Sequence, residues 1–197
     1  MNPGSPQGRR KCLAFVLSTV FLLSARSTAD QNPFKVFVGD KNTSYQTFKD
    51  PAGRFELEYP TKDWRLLPSG GSSLAVFARN DGPALFVDHT RIVERLTPGE
   101  FERLPEVEVE RLKREHPNAK EFKSDRLDTK AGRGVLIRYS RIDGQPQAVV
   151  QYLIALDQDL YRLNGVAPER LFSKYEPIIM HMIQSFKAPA SPSSSKN

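Results

Sequence analysis

The alternation of apolar and charged residues is clearest in the stretch GRFELEYP, near the middle of the first hundred residues. Phe55, Leu57 and Tyr59 occupy every second position, and the residues between them are charged. This period of two predicts a strand with one buried and one solvated face. Pro60 cannot donate to a neighbouring strand, so the strand is predicted to end there. Trp64, the one tryptophan, is predicted to cover the edge of the core.

Further strands are indicated by short apolar runs separated by turn residues. Asn-Asp-Gly-Pro at 80–83 and Asp-Gly at 143–144 favour tight hairpin turns. Short turns of this kind require antiparallel pairing of the strands that they join. The predicted strands are 45–48, 73–79, 84–94, 121–129, 134–142, 147–156 and 160–166.

A helix is predicted over residues 98–116, after the hairpin whose turn lies at 80–83. Thr97 and Glu100 have the spacing of a capping box, and proline follows Thr97 at the first helical position. Pro105 is predicted to kink this helix or to mark a restart. The predicted buried stripe consists of Phe101, Leu104, Val109 and Leu112.

A second helix is predicted over residues 169–186, where apolar residues recur at helical spacing. Pro177 is predicted to kink this helix or to mark a restart. Strands, a helix, hairpins and a final helix form the pattern of an α+β fold. The sequence contains no internal repeat and no sign of a second domain.

The first 29 residues have the three parts of a secretory signal peptide. A basic segment precedes a run of twelve residues from Cys12 to Leu23 that is too short to span a bilayer comfortably. Cleavage is predicted after Ala29, which places the protein in the periplasm or outside the cell; the alternative is an uncleaved anchor. Residues 30–44 are predicted to be a linker, residues 45–187 one α/β/α domain, and residues 188–197 a disordered tail.

Removing this segment changes the charge of the chain. The whole sequence has 29 basic and 23 acidic residues, a net charge of +6. Four of the basic residues and none of the acidic ones precede Ala29, so the remainder has 25 against 23, a net charge of +2. Binding to nucleic acid is therefore not expected, nor is stable membrane insertion after cleavage. Cys12 is the one cysteine, so the mature chain has no disulfide.

Catalytic or metal-binding chemistry finds little support in the sequence. His89, His116 and His181 are too far apart along the chain for two of them to bind a metal from one strand or helix. A triad of Ser72, Asp88 and His89 is disfavoured, because adjacent strand residues point to opposite faces. We therefore predict no catalytic residue, no cofactor and no enzymatic activity.

The best metal candidates are Asp157 and Asp159, which flank a glutamine at a predicted hairpin tip. Two carboxylates and backbone oxygens are ligands that suit calcium. The alternative is that aspartate simply favours turns. Residues 101–116 carry closely spaced charges of both signs, Glu108 among them, which predicts a solvated helix face or, as the alternative, a partner surface.

The chain resembles the PsbP/Mog1-like superfamily over residues 45–187. The opening motif GRFELEYP with Trp64 carries the resemblance, together with the segments 134–139 and 149–152 and the closing segment 183–187. The resemblance implies an antiparallel sheet flanked by helices on both faces, an α/β/α sandwich. It also implies a non-catalytic binding or assembly factor. Photosynthetic members are lumenal proteins that attach to photosystem II and help to retain calcium and chloride, and Mog1-like members bind a small GTPase.

The chain departs from the photosynthetic members, because residues 30–44 contain only Lys35 and Lys41 in place of a long lysine-rich arm. No ion ligand or photosystem contact is carried over to this sequence. We therefore expect an exported, non-catalytic accessory protein that binds another protein in the cell envelope. The alternatives are a domain that binds a small ligand or calcium, and a photosystem II extrinsic subunit if the host is photosynthetic.

Overall fold

The computed structural model describes residues 42–70 and 73–189, which form nine strands and two helices. The strands are β1 (Tyr45–Lys49), β2 (Glu56–Pro60), β3 (Arg65–Leu67), β4 (Ser73–Ala78), β5 (Ala84–Arg91), β6 (Lys120–Thr129), β7 (Gly132–Asp143), β8 (Gln145–Leu156) and β9 (Asp159–Pro168). The helices are α1 (Pro98–Glu115) and α2 (Glu169–Ser185).

Seven of these strands form one antiparallel sheet in the order β3-β4-β5-β9-β8-β7-β6. Hairpins join β4 to β5 and connect β6, β7, β8 and β9 in succession, as the turn residues predicted. The long connection through α1 brings β6 to one edge of the sheet, and β9 returns to the centre beside β5. The predicted α+β fold with an antiparallel sheet is confirmed.

β1 and β2 form a separate two-stranded hairpin that packs on α2. Phe55 and Leu57 are buried in the core, as the alternation predicts, and β2 ends at Pro60. Beyond α2, Lys187 pairs with Glu56 through two backbone hydrogen bonds of 2.8 and 2.9 Å. Both edges of β2 are therefore occupied, one by β1 and the other by the segment that follows α2.

Each face of the large sheet has its own core. The hairpin and α2 cover one face, where apolar residues from β4, β5, β8 and β9 pack with Phe55, Leu57 and Trp64. Leu104 and Leu112 of α1 pack on the other face, against residues of β7, β8 and β9. The sheet thus lies between helices, which confirms the α/β/α sandwich.

Several local predictions need correction. Trp64 is 5% exposed and belongs to the core, so it is more than a cover at the edge. The strand predicted over 84–94 ends at Arg91. Both helices continue through Pro105 and Pro177, so the predicted restart is wrong at each, and the alternative of a kink stays a prediction. Pro105 leaves the carbonyl oxygen of Phe101 without its helical donor, and the guanidinium of Arg126 on β6 donates to that oxygen at 3.3 Å from each of two nitrogens.

The predicted segments at the two ends of the chain fall mostly outside the described residues. The signal peptide of residues 1–29, most of the linker of residues 30–44 and residues 190–197 of the tail remain predictions. In the part of the chain that the structure describes, no helix is both long and apolar enough to cross a membrane.

Candidate functional site

A groove of about 540 Å³ lies on the α1 face of the large sheet. It exists because α1 packs mainly over β7 and covers only part of the same face of β5 and β9. The C-terminal half of α1 forms one wall, and Tyr139 and Arg141 of β7 close one end. We call this the α1 groove; it is lined by Phe86, Asp88, Thr90, Arg111, Leu112, Glu115, His116, Tyr139, Arg141, Val149, Gln151, Arg162, Asn164 and Val166.

The floor of the α1 groove contains polar side chains, as is usual for a sheet face that meets solvent. Asp88 on β5 accepts hydrogen bonds from the Ser73 hydroxyl at 2.6 Å and from the Asn164 side-chain amide at 2.8 Å. Strand pairing sets this arrangement, because Asp88 lies opposite Ser73 of β4 and Asn164 lies on β9. The Asp88 carboxylate is consequently satisfied by neutral donors and does not need a cation.

Glu108 of α1 does not line the groove but bonds to three residues that do, and only 2% of it is exposed. Its Oε1 atom accepts hydrogen bonds from Gln151 Nε2 at 3.0 Å, from Arg162 Nε at 3.2 Å and from Arg111. Burial opposes ionisation, but the hydrogen bond from Arg111 and the charge of Arg162 outweigh it and hold the pKa of Glu108 below its usual range. Glu108 is therefore a carboxylate at neutral pH, and it fixes side chains from three elements.

Two buried polar atoms beside Glu108 have no hydrogen-bond partner among residues 42–70 and 73–189. They are Oε1 of Gln151, an acceptor, and Nε of Arg111, a donor. Gln151 is 1% exposed and yet lines the groove. Both atoms have essentially no accessible surface, so a group bound in the groove could reach either one only after that side chain moved.

The closed end of the groove holds a neutral imidazole. Arg141 Nη1 donates to Nε2 of His116 at 3.0 Å, so the proton of the neutral ring lies on Nδ1. Burial and the adjacent charge of Arg141 lower the pKa of His116. The Tyr139 ring stacks between His116 and Phe122, and burial raises the pKa of its hydroxyl. This end of the groove therefore presents aromatic surface and a guanidinium group.

The residues singled out from the sequence lie elsewhere. Asp159 Oδ1 accepts a hydrogen bond from Nε2 of His89 at 2.8 Å on the α2 face. Asp157 has a φ of 58° in the β8–β9 turn, a left-handed conformation that aspartate tolerates. Within residues 42–70 and 73–189, no group of three or more His, Cys, Asp or Glu side chains has the arrangement of a metal site. The calcium hypothesis for Asp157 and Asp159 thus gains no third ligand.

The other histidines are also dispersed. Asp88 points to the α1 face and His89 to the α2 face, as expected for neighbouring strand residues. His181 of α2 bonds to Glu58 of β2 at 2.9 Å and stacks on Tyr45. The three imidazoles thus occupy three separate parts of the fold. Ser72 lies outside the described residues.

The contact between Glu108 and Gln151 was not predicted from the sequence, although the sequence contained a signal for each of them. Glu108 was assigned to a solvated face, but it lies four residues from both Leu104 and Leu112 and so belongs to the buried stripe. Gln151 is polar in the apolar run of β8, VVQYLIAL. A polar residue in a central strand requires a partner. No local pattern indicated that this partner would be Glu108, 43 positions earlier.

Comparison with known proteins identifies the fold. No family model matches the chain, and no curated protein does. Cyanobacterial PsbP (CyanoP) from Synechocystis superposes with a TM-score of 0.59 at 14% identity, over 77% of this chain and 95% of that one. The Ran-binding protein Mog1p of Saccharomyces cerevisiae gives 0.50 at 11% identity, over 74% and 96%. The fold is PsbP/Mog1-like.

A third solved structure of this fold comes from a bacterium. LpqN, which is involved in cell envelope biogenesis of Mycobacterium tuberculosis, gives a TM-score of 0.52 at 15% identity, over 76% of this chain and 94% of that one. At such identities the likeness establishes the PsbP/Mog1-like fold and no shared activity. The functional argument therefore rests on the α1 groove.

Proposed function

We propose that this protein is an exported, non-catalytic binding protein of the cell envelope, and that the α1 groove is its binding site. The observation that carries this proposal is the groove of about 540 Å³ itself, which presents both polar and apolar side chains of α1, β5 and β9 on one face of the sheet.

Two further features support this assignment. The predicted signal peptide at residues 1–29 favours export, and one protein of the same fold, LpqN, is involved in cell envelope biogenesis. Mog1p, also of this fold, is a Ran-binding protein, which makes a binding role a reasonable expectation. The separation of His89, His116 and His181 supports a non-catalytic role, because no two of them share a site.

Site-specific protection of a cysteine tests this proposal without knowledge of the ligand. In the full chain carrying Cys12→Ser, Thr90→Cys places a single thiol at the groove, and Thr47→Cys places one on the exposed side of the β1–β2 hairpin as the control. An envelope extract of the source organism is separated into protein and small-molecule fractions. We expect one fraction to slow alkylation of the groove thiol but not of the control thiol.

The fraction that protects the groove thiol identifies the kind of partner. Protection by the protein fraction supports a role in assembly with another protein, and protection by the small-molecule fraction supports a ligand-binding role. Equal alkylation rates with both fractions and with buffer would refute the α1 groove as the binding site.

A further inference from the structure

We propose that the closed end of the α1 groove binds a carboxylate group of the ligand through the guanidinium of Arg141. This inference rests on the proposed function and adds the chemical class of the ligand. The recognition chemistry is the same whether the carboxylate belongs to a free small acid or to the C-terminus of a peptide, and the experiment below distinguishes these two sources.

Arg141 differs from the other partly buried arginines in its counter-ion. Seven arginines of residues 42–70 and 73–189 are partly buried. Six of them have a carboxylate oxygen at 3.2 Å or less, namely Arg54, Arg79, Arg111, Arg126, Arg138 and Arg162. The seventh is Arg141, whose nearest carboxylate in those ranges belongs to Asp143 at 3.9 Å, although its side chain is only 18% exposed. Charged groups are rarely buried unless they are paired, so a carboxylate is the group that Arg141 lacks.

The Arg141 guanidinium is held in place by neutral acceptors. Its Nε donates to Oε1 of Gln147 at 3.1 Å, and its Nη1 donates to Nε2 of His116 at 3.0 Å. Both hydrogens of Nη2 remain, because Asp143 at 3.9 Å is beyond hydrogen-bond distance. Nη2 is not among the buried unpaired atoms of the part of the chain that the structure describes, so it has accessible surface, and Arg141 lines the groove. A carboxylate that enters the groove can therefore accept from Nη2 without displacing an existing hydrogen bond.

The charges around this end favour a ligand group with a single negative charge. The charged side chains that act on His116 are Arg141, Arg111, Glu115 and Asp143. Arg111 and Glu115 bond to each other, and Asp143 is 71% exposed to solvent. One carboxylate thus matches the one charge that has no close partner. A phosphate dianion would bring a second negative charge near Glu115 and Asp143, which repel it.

The test is an NMR titration of the full chain at constant ionic strength. The probes are benzoate and N-acetyl-dialanine, whose neutral matches are benzamide and N-acetyl-dialanine amide, and inorganic phosphate is the dianion. The ¹⁵N signals of the Arg141 Nε–H and of the His116 ring report on the site. We expect a saturable shift of both signals with at least one carboxylate, none with the neutral matches, and weaker binding of phosphate.

The pattern among the carboxylates identifies the source. Binding of benzoate alone supports a free acid, and binding of the peptide acid alone supports a peptide C-terminus. Binding of both supports recognition of the carboxylate itself.

Three variants assign the contact. Arg141→Gln should weaken binding at least about tenfold, because a hydrogen bond between two charged groups is lost. Asp143→Asn should strengthen binding about threefold, because it removes a carboxylate that competes for Nη2. The Asp143 side chain is exposed, so this variant tests the contact even if Arg141→Gln does not fold. Arg138→Gln, on the same strand but paired with Glu176 of α2 at 3.0 Å, is the control and should bind as the wild type does.

Several outcomes would overturn the proposal. They are the absence of a saturable shift with either carboxylate, equal shifts with the neutral matches, and phosphate binding as tight as that of the carboxylates. Binding that neither Arg141→Gln nor Asp143→Asn alters would refute the assigned contact. If the carboxylates fail while an envelope fraction still protects the groove thiol, the ligand class is wrong and the binding site stands. If both experiments fail, the groove has no binding role.

Discussion

Arg126 of β6 donates to the carbonyl oxygen of Phe101, the acceptor that Pro105 leaves without its helical partner. The same guanidinium binds the carbonyl and the carboxylate of Glu102, and it lies 4.7 Å from the centre of the Phe101 ring. An interior proline ordinarily breaks a helix because it removes a hydrogen bond and crowds the preceding turn. Here a side chain from the sheet replaces the lost donor, so α1 continues to Glu115.

A double-mutant cycle tests this replacement. Arg126→Met should lower the free energy of unfolding by about 1–2 kcal/mol, because the Phe101 carbonyl loses its donor. In a Pro105→Ala background the helical N–H is restored, and the cost of Arg126→Met should shrink. Urea unfolding of the four proteins measures the coupling, and Arg133→Met, at an exposed ion pair with Asp128, is the control. Equal costs in both backgrounds would contradict the proposed replacement.

Replacing Glu108 should reveal a pH-dependent contribution to stability. The pKa of Glu108 is lowered from its ordinary 4.5 in the folded state, so between the two pKa values the unfolded state binds more protons. The stabilisation is therefore complete above about pH 4.5 and is lost as the pH falls through the folded pKa. At neutral pH, Glu108→Gln should cost about 1.5–3 kcal/mol, since Arg111 and Arg162 lose a charged acceptor.

Urea unfolding across the acid range measures this difference between the wild type and the variant. It should narrow steadily as the pH falls below about 4.5, because protonation removes the same charge from the wild type. Glu110→Gln, at an exposed pair with Lys113, should change stability by less than about 1 kcal/mol at any pH. A difference for Glu108→Gln that stays constant with pH would show that the carboxylate is not the stabilising species.

The close approach of α2 to the sheet depends on Gly165. A Cβ atom at this position would lie 2.2 Å from Cγ2 of Ile179 and 3.0 Å from Cγ1 of Val150. Gly165→Ala should therefore cost about 1–3 kcal/mol through overpacking. Combining it with Ile179→Ala removes the clashing methyl group. The double variant should therefore lose less stability than the sum of the two single losses.

Thermal and urea unfolding of the single and double variants check this prediction. Gly99→Ala is the matched control, because a Cβ there meets no atom within 4 Å and Gly99 lies in the first turn of α1. That substitution should be neutral or stabilising by about 0.4–1 kcal/mol. Strict additivity of Gly165→Ala and Ile179→Ala would show that α2 can shift without cost.

The β4–β5 turn is tied to α2 through the carboxylate of Asp81. The hydrogen bonds from Arg79 at 2.8 Å and from the Tyr175 hydroxyl at 2.7 Å lower the pKa of Asp81 to about 2. Tyr175→Phe removes one donor and keeps the buried ring, so this pKa should rise and yet remain below 3.8 because Arg79 is still present. A ¹³C NMR titration of the carboxyl carbon measures the change. The control is Tyr161→Phe, because the Tyr161 hydroxyl donates to the carbonyl oxygen of Arg54. This variant should leave the pKa of Asp81 unaltered.

Sequence patterns predicted the elements well, because alternation and helical spacing report which side of each element meets the core. Phe55 and Leu57 are buried as predicted, and the capping box of Thr97 and Glu100 is present with both hydrogen bonds. The restart alternative at Pro105 was wrong, because Arg126 bonds to the carbonyl oxygen that the proline leaves unpaired, and the sequence does not place Arg126 beside α1. Local sequence rules indicate that a proline removes a helical hydrogen bond, but they do not indicate whether another element supplies a replacement donor.

The α1 groove could not be predicted from the sequence for the same reason, since it depends on contacts between distant elements. Asp157 and Asp159 could be named as calcium candidates because neighbouring carboxylates are visible in the sequence, and that assignment stays a prediction; the structure adds the bond that Asp159 accepts from His89. Glu108, Gln151 and Arg162 lie on three elements and meet only after α1 crosses the sheet. A prediction from sequence would have required the strand order, which places β9 between β5 and β8.

The pairing of Lys187 with Glu56 also determines how the domain can be attached to anything else. Tyr45, where the first strand begins, stacks on His181 of α2, and Lys187 lies beside β2, so both ends of the folded segment lie on the α2 face. A membrane anchor, a partner domain or a solid support joined at either end would hold the protein by that face. The α1 groove lies on the opposite face of the sheet, so it would then face away from the attachment and remain accessible.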